Sequence, residues 1–254
     1  MAFDLRRLEE ISQNASRAER GLMIDGWSIG LSPGLAKRSR CVNPFYPSAR
    51  SFEQNLAAAK RAFATAGLPC VFRLTPFVSD QTLDTRLQDM GYTRFDSTLV
   101  QALSLQDVDV SAAASTSADQ CLIAPHHDLA EAAQWTGAMR GDSSTEIAAL
   151  AMRWQLNASQ TQPLFAHLRS GARVARALGV IEDGHLGIFD VGTVADYRGL
   201  GYATALLRRL LIDAKAAGVH TAYLQVTPEN TSRHIYERLG FRTVYEYWYR
   251  AAPP

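Results

Sequence analysis

Cysteine is scarce in this sequence, at 3 of 254 residues. Cys41, Cys70 and Cys121 are odd in number, far apart and without metal-ligand spacing, which argues against a disulfide framework or a cysteine zinc site and points to a reducing cytoplasm. An excess of charge is lacking as well, because 26 Lys+Arg oppose 25 Asp+Glu for a net charge of +1. A dedicated nucleic-acid binder would show a basic face, and nothing here calls for an anionic membrane partner. No stretch approaches the roughly 18 apolar residues of a membrane span. The charged N-terminal segment lacks the apolar core of a secretory signal. What is present, 47% hydrophobic and 20% charged residues, describes a globular chain long enough for one large or two modest domains.

Composition shifts across residues 105–120, where small and polar residues replace large apolar ones. That segment reads as a linker between domains at 1–104 and 121–254. Two stretches on either side look like copies of one unit. Residues 51–103 predict a helix, Ala-Gly, a strand ending in Thr-Pro, a helix ending in Gly plus an aromatic, and a last strand; residues 202–251 predict the same order. Ala66-Gly67 pairs with Ala217-Gly218, Thr75-Pro76 with Thr227-Pro228, and Gly91-Tyr92 with Gly240-Phe241. Ahead of its copy, the second half predicts a strand at 121–125, helices at 126–140 and 143–157, and three strands joined at Ser170-Gly171 and Asp183-Gly184. The first half predicts an N-terminal helix and strands over 20–30 and 35–45.

The residues with chemical content are Arg198, Gly199, Leu200, Gly201, Tyr202 and Ala203, where a predicted strand gives way to a long helix. Ala203, Leu206, Leu207, Leu210, Leu211 and Ala214 form that helix's apolar face, with Arg208, Arg209 and Lys215 opposite. Such a junction aims free backbone N–H groups and the positive end of the helix dipole at one point, and glycine lets an anion come close. A tight turn that merely needs glycine is the plainer alternative. A dinucleotide fingerprint would place Gly or Ala where Thr204 stands and an acid where Leu224 and Gln225 stand; the Gly-Lys-Ser/Thr of a P-loop is absent.

Arg198-x-x-Gly201-x-Ala203 resembles the pyrophosphate loop, Gln/Arg-x-x-Gly-x-Gly/Ala, of the GNAT superfamily of acyl-CoA N-acyltransferases. Asn230, Tyr236 and Gly240-Phe241 resemble the family's later motif, and the likeness covers about residues 121–250. It implies an α/β (mixed α+β) fold of two GNAT-like domains, each a mostly antiparallel mixed sheet flanked by helices. The implied activity is direct transfer of an acetyl group from acetyl-CoA, as co-substrate and without a metal, to a primary amine of a small molecule or peptide. A non-catalytic acyl-CoA-binding or regulatory protein is the alternative.

By the same resemblance, the N–H groups from Arg198 to Ala203 and the Thr204 hydroxyl hold the coenzyme A pyrophosphate. Backbone near Val191, Thr193 and Val194 runs beside the pantetheine and polarises the thioester carbonyl. Asn230 reaches the coenzyme arm or caps the helix that follows. Tyr236 resembles the general acid that protonates the departing thiolate. Some relatives carry a glutamate as base on the strand before the loop, and counting back places His185 there. His185 reads more readily as an exposed turn residue beside Asp183-Gly184, and Asp190 on the same strand is a second candidate with the same alternative.

The acceptor pocket is expected between the helices at 126–157 and the strand carrying Tyr245, Tyr247, Trp248 and Tyr249, with the first copy as a candidate further wall. Glu131, Asp142 and Glu146 either attract a cationic amine or form a solvated face. The first copy has Ser48-Ala49-Arg50-Ser51 in place of the glycine loop and Leu87 in place of Tyr236, so one coenzyme site per chain is expected. Gly26-Trp27-Ser28-Ile29-Gly30 matches a hydrolase pentapeptide, but Pro33 and Gly34 break the helix that a nucleophile elbow needs. His126-His127-Asp128 lacks the spacing of a metal site and reads as the polar start of a helix. Oligomeric state is open.

Overall fold

The computed structural model describes residues 3–106 and 121–252, so the segment read as a linker lies almost wholly outside the described residues. The first half runs α1 (Leu5–Asn14), β1 (Gly21–Ile24), β2 (Trp27–Gly30), β3 (Val42–Pro44), α2 (Phe52–Thr65), β4 (Val71–Leu74), α3 (Leu83–Asp89) and β5 (Thr93–Ser104). The second runs β6 (Leu122–Pro125), α4 (Leu129–Arg140), α5 (Ser144–Gln155), β7 (Gln160–His167), β8 (Arg173–Glu182), β9 (His185–Thr193), α6 (Tyr202–Ala216), β10 (Thr221–Val226), α7 (Arg233–Arg238) and β11 (Arg242–Ala251).

Local chemistry explains the boundaries. Ser51 with Gln54, and Ser143 with Glu146, make reciprocal capping boxes at the starts of α2 and α5. Asp128 caps α4, which begins after His126 and His127, and Gly141 ends it at φ +80°. The Asp183-Gly184 hairpin turn takes φ +46° and +68°, the left-handed pair that suits the twist of β8 and β9. Residues 20–30 form a hairpin rather than one strand, because Asp25 and Gly26 take φ +44° and +89°. Residues 35–45 are mostly not strand: a 3₁₀ turn occupies Lys37–Ser39 and only Val42–Pro44 pairs. Ser28 lies within β2 opposite Asn43, with no elbow about it.

All eleven strands form one sheet in the order β1-β2-β3-β4-β11-β5-β10-β9-β8-β7-β6. Only β3–β4 and β9–β10 pair in parallel. By the repeat, β4 corresponds to β10 and β5 to β11, yet β4 is not adjacent to β5, nor β10 to β11. Strand β11 lies between β4 and β5, while β5 lies between β11 and β10. Each half has therefore given its last strand to the other: Trp248 faces Leu74, and Leu99 faces Val226. The core of the second half gathers Leu206, Leu207, Leu210 and Leu211 of α6 against Leu164, Val174, Leu186 and Leu224. That of the first half centres on Trp27, Leu56, Phe63, Phe72 and Leu87. Helix α1 crosses the seam, burying Leu8 and Ile11 with Ala102 and Tyr223. Among the described residues, no helix is long and apolar enough to cross a membrane.

Candidate active site

Strands β9 and β10 pair only from His185–Thr221 to Ile188–Leu224 and then part. The cause lies in β9. Its ladder with β8 slips between Arg176–Gly192 and Leu178–Phe189, so Asp190 and Val191 together oppose one residue, and Asp190 takes φ +51°. Such a bulge bends its strand. It leaves Phe189 to Thr193 without a strand partner on the β10 side, and a cleft of 360 Å³ opens in the gap.

Asp190, Val191, Asn230 and Tyr236 line this cleft together. Tyr236 is buried, edge-on to Phe241 at 6.3 Å between centroids, and burial raises its phenol above the ordinary value. It keeps its proton at neutral pH. Asn230 accepts from the Ser232 N–H at 2.9 Å, so its side-chain oxygen shapes the entry to α7 while its amide remains for a ligand. Asp190 accepts from Arg140 at 2.8 Å and lies 3.6 Å from Arg153, and one of its carboxylate oxygens is buried without a hydrogen bond.

The glycine loop follows the open end of β9. Past Thr193 and Val194, a 3₁₀ turn at Ala195–Tyr197 leads to Arg198, whose Nε reaches back to the Thr193 carbonyl at 3.3 Å. Gly199 and Gly201 take φ +76° and +88° on either side of exposed Leu200, conformations that suit glycine. Gly201 caps α6 without a side-chain bond, and Tyr202 is buried against Tyr197. The first N–H groups of α6, on Tyr202, Ala203 and Thr204, thus have no capping side chain to satisfy them, which leaves the site fit for a phosphate.

The equivalent place in the first half is already filled. The Asp25 carboxylate accepts from the Ala49 and Arg50 N–H groups at 3.1 and 2.8 Å and from the Asn55 amide at 3.0 Å. Those hydrogen bonds hold its carboxyl below the usual aspartate range. An internal anion sits where the second half offers an open cradle. The gap between β3 and β4, which share one paired position, is likewise plugged. Arg73 of β4 lies wholly buried on Glu9 of α1, which also accepts from Tyr245 at 2.8 Å and Gln13 at 2.8 Å.

Four expected residues lie elsewhere. His185 stands at the first position of β9, roughly 16 Å along the strand from Asp190 at about 3.3 Å per residue. It is buried rather than exposed, with Nδ1 2.6 Å from the Asp183 carbonyl oxygen and its ring against His220. The structure does not bring it to the cleft. Tyr245, Tyr247 and Tyr249 of β11 pack over the first half's gap instead of lining the acceptor side. Glu131 pairs with His126, Asp142 holds Arg140, and Glu146 stays at the cleft rim. Sequence reasoning missed Arg38, Arg140 and Arg153, which line the cleft and come from three separate elements. Among the described residues, no group of three or more His, Cys, Asp or Glu is placed to hold a metal.

Residues 129–241 match the Acetyltransferase (GNAT) family. A curated relative, the [ribosomal protein bS18]-alanine N-acetyltransferase of Haemophilus influenzae, is 35% identical over 57 residues, 22% of this chain and 39% of that protein. A GCN5-related N-acetyltransferase from Kribbella flavida superposes with a TM-score of 0.72 at 19% identity, covering 100% of this chain and 97% of the other. A tandem GNAT protein from the clavulanic acid biosynthesis pathway gives 0.59 at 15% identity, covering 84% and 76%. Both halves therefore share the GNAT fold.

Proposed function

With residues 129–241 forming an acetyltransferase domain of the GNAT family, we propose that this protein moves an acetyl group from acetyl-CoA directly to a primary amine, in the cleft of its second half. The observation that carries the reading is the joining of three features: an open glycine cradle at the start of α6, an unpaired edge on β9, and a buried, proton-bearing Tyr236 in the cleft beside that edge.

The chemistry follows from their placement. Backbone N–H groups at Arg198, Gly199, Leu200, Gly201, Tyr202 and Ala203, with the Thr204 hydroxyl, hold the pyrophosphate. The Asn230 amide meets the coenzyme arm. An N–H of the β9 edge, near Val191, Thr193 and Val194, donates to the thioester oxygen as charge builds on it. Such a donor is worth a few kcal/mol at the transition state. The amine nitrogen bonds to the carbonyl carbon and the C–S bond breaks. The Tyr236 O–H gives its proton to the leaving thiolate, and the Asp190 carboxylate, held between Arg140 and Arg153, takes the amine's proton directly or through water.

Tyr236→Phe is expected to lower kcat about a hundredfold, the low end of general-acid contributions, with KM for acetyl-CoA changed less than about threefold. Thiol release measured against a panel of amines reads this. An unchanged kcat would remove Tyr236 from the mechanism, and coenzyme binding without turnover of any amine would favour a binding or regulatory role. Calorimetric titration with acetyl-CoA is expected to saturate at one site per chain, because Asp25 occupies the other cradle. Two equivalent sites would contradict the assignment of the first half as silent.

A further inference from the structure

Arg38 is the first half's contribution to the cleft of the second. The loop carrying it is held against α5, since a Cβ on Gly34 would lie 3.0 Å from that of Ala149. From its 3₁₀ turn the side chain passes over the Phe189 ring at 5.4 Å, donates through Nε to Ser16 at 3.0 Å and bonds through Nη1 to Gln225 of β10. Both hydrogen-bond partners are neutral. Arg153 enters from α5, with a side chain 14% exposed; its nearest carboxylate is Asp190 at 3.6 Å, which Arg140 already holds at 2.8 Å. Arg140 in turn has Asp142 to itself. Of the acidic side chains lining the cleft, Asp190 is thus shared between Arg140 and Arg153, and Glu146 is exposed at the rim and engaged in the α5 capping box.

Burial disfavours the charge on Arg153, and the neighbouring charges of Arg38 and Arg140 add to this against the pull of Asp190. Two guanidinium groups facing one cavity, Arg38 with neutral hydrogen-bond partners and Arg153 with a shared carboxylate at 3.6 Å, form a site for an anion. The pyrophosphate is not that anion, because the glycine loop lies beyond the residues that line the cleft. Resting on the acetyl-transfer reading above, we propose that the acceptor is a small amine that also carries a carboxylate, an amino acid or a compound of similar size, and that Arg38 and Arg153 bind the carboxylate. The volume of 360 Å³ is at the low end for small-ligand pockets and must also admit the acetyl end of the donor. Arg38 makes the silent half a determinant of specificity.

The test compares free L-amino acids with their own carboxamides, alongside phosphoethanolamine and neutral alkylamines, by acetyl-CoA-dependent thiol release on the full chain. The expected result is at least one acid whose kcat/KM exceeds that of its carboxamide by about tenfold or more. Arg38→Gln and Arg153→Gln should each erase that ratio by raising KM for the acid, with Arg38→Lys recovering part of it. Acetyl-CoA titration of the same samples reports whether the cleft is folded. A merely structural bracket would lower acid and carboxamide rates alike. Equal rates for acid and carboxamide in the unaltered protein overturn the proposal without needing any variant. So does preference for phosphoethanolamine or alkylamines, or acetyl-CoA binding with no acid acetylated. Failure to bind acetyl-CoA overturns the acetyl-transfer reading itself.

Discussion

Gly201→Glu is expected to weaken acetyl-CoA binding by about a thousandfold or more, equivalent to about 4 kcal/mol. Two costs combine. Gly201 takes φ +88°, where a residue with a Cβ loses about 1–2 kcal/mol. The new carboxylate would then compete for the N–H groups that the pyrophosphate needs and repel it by charge. The first half already displays this outcome, since Asp25 satisfies the amides ahead of α2 from within the chain. Gly201→Ala isolates the backbone cost and is expected to lose only about tenfold. Calorimetry on the three proteins, with circular dichroism to show that each is folded, separates the terms. Binding of acetyl-CoA to the glutamate variant within tenfold of the original would mean that the coenzyme is seated elsewhere.

Glu9→Ala is expected to destabilise the fold by about 3–5 kcal/mol, the usual cost of removing one partner from a buried ion pair. In a chain of this size that is a fall in Tm of roughly 6–20 °C. Arg73, wholly buried beneath the Tyr247 ring at 3.7 Å, would lose its only carboxylate partner among the described residues. Burial alone would push the Glu9 carboxyl up, but the charge and hydrogen bonds of Arg73, with those of Gln13 and Tyr245, outweigh it and hold the group below the ordinary value of 4.5. A depressed folded value means that this stabilisation is complete above 4.5 and is lost as pH falls through the lower folded value. The variant's acid unfolding curve should therefore be flatter below about pH 4.5 than that of the parent. Thermal scans at pH 7 and pH 3.5 measure both effects. An unchanged Tm at pH 7 would show that the plug in the first half's gap carries no load.

Signals that act over a few residues were legible. The apolar face of α6, the Asp183-Gly184 turn and the glycine loop each rest on neighbours within two turns of helix or four residues of hairpin. Their elements stand where the sequence places them. The cleft itself was harder to read. Counting along β9 to reach His185 presumes a regular strand, whereas the extra residue at Asp190 and Val191 resets which side chains face the gap. Arg38 lies in a stretch that reads as a strand, and nothing local marks it as part of a site whose other arginines come more than a hundred positions later. The tyrosines of β11 were expected beside the acceptor because a strand is ordinarily assumed to pair within its own unit. The exchange of β5 and β11 moves them across the seam.

That exchange also sets an order of events during synthesis. Strand β4 emerges from the ribosome long before its neighbour Trp248 to Ala251. The first half, although complete in sequence by Ser104, holds unpaired strand edges until β11 has been made. Contacts between positions so distant slow folding and expose such edges to other chains in the meantime. A nascent chain stalled anywhere before β11 should stay sensitive to protease in both halves and become resistant in one step once β11 is released.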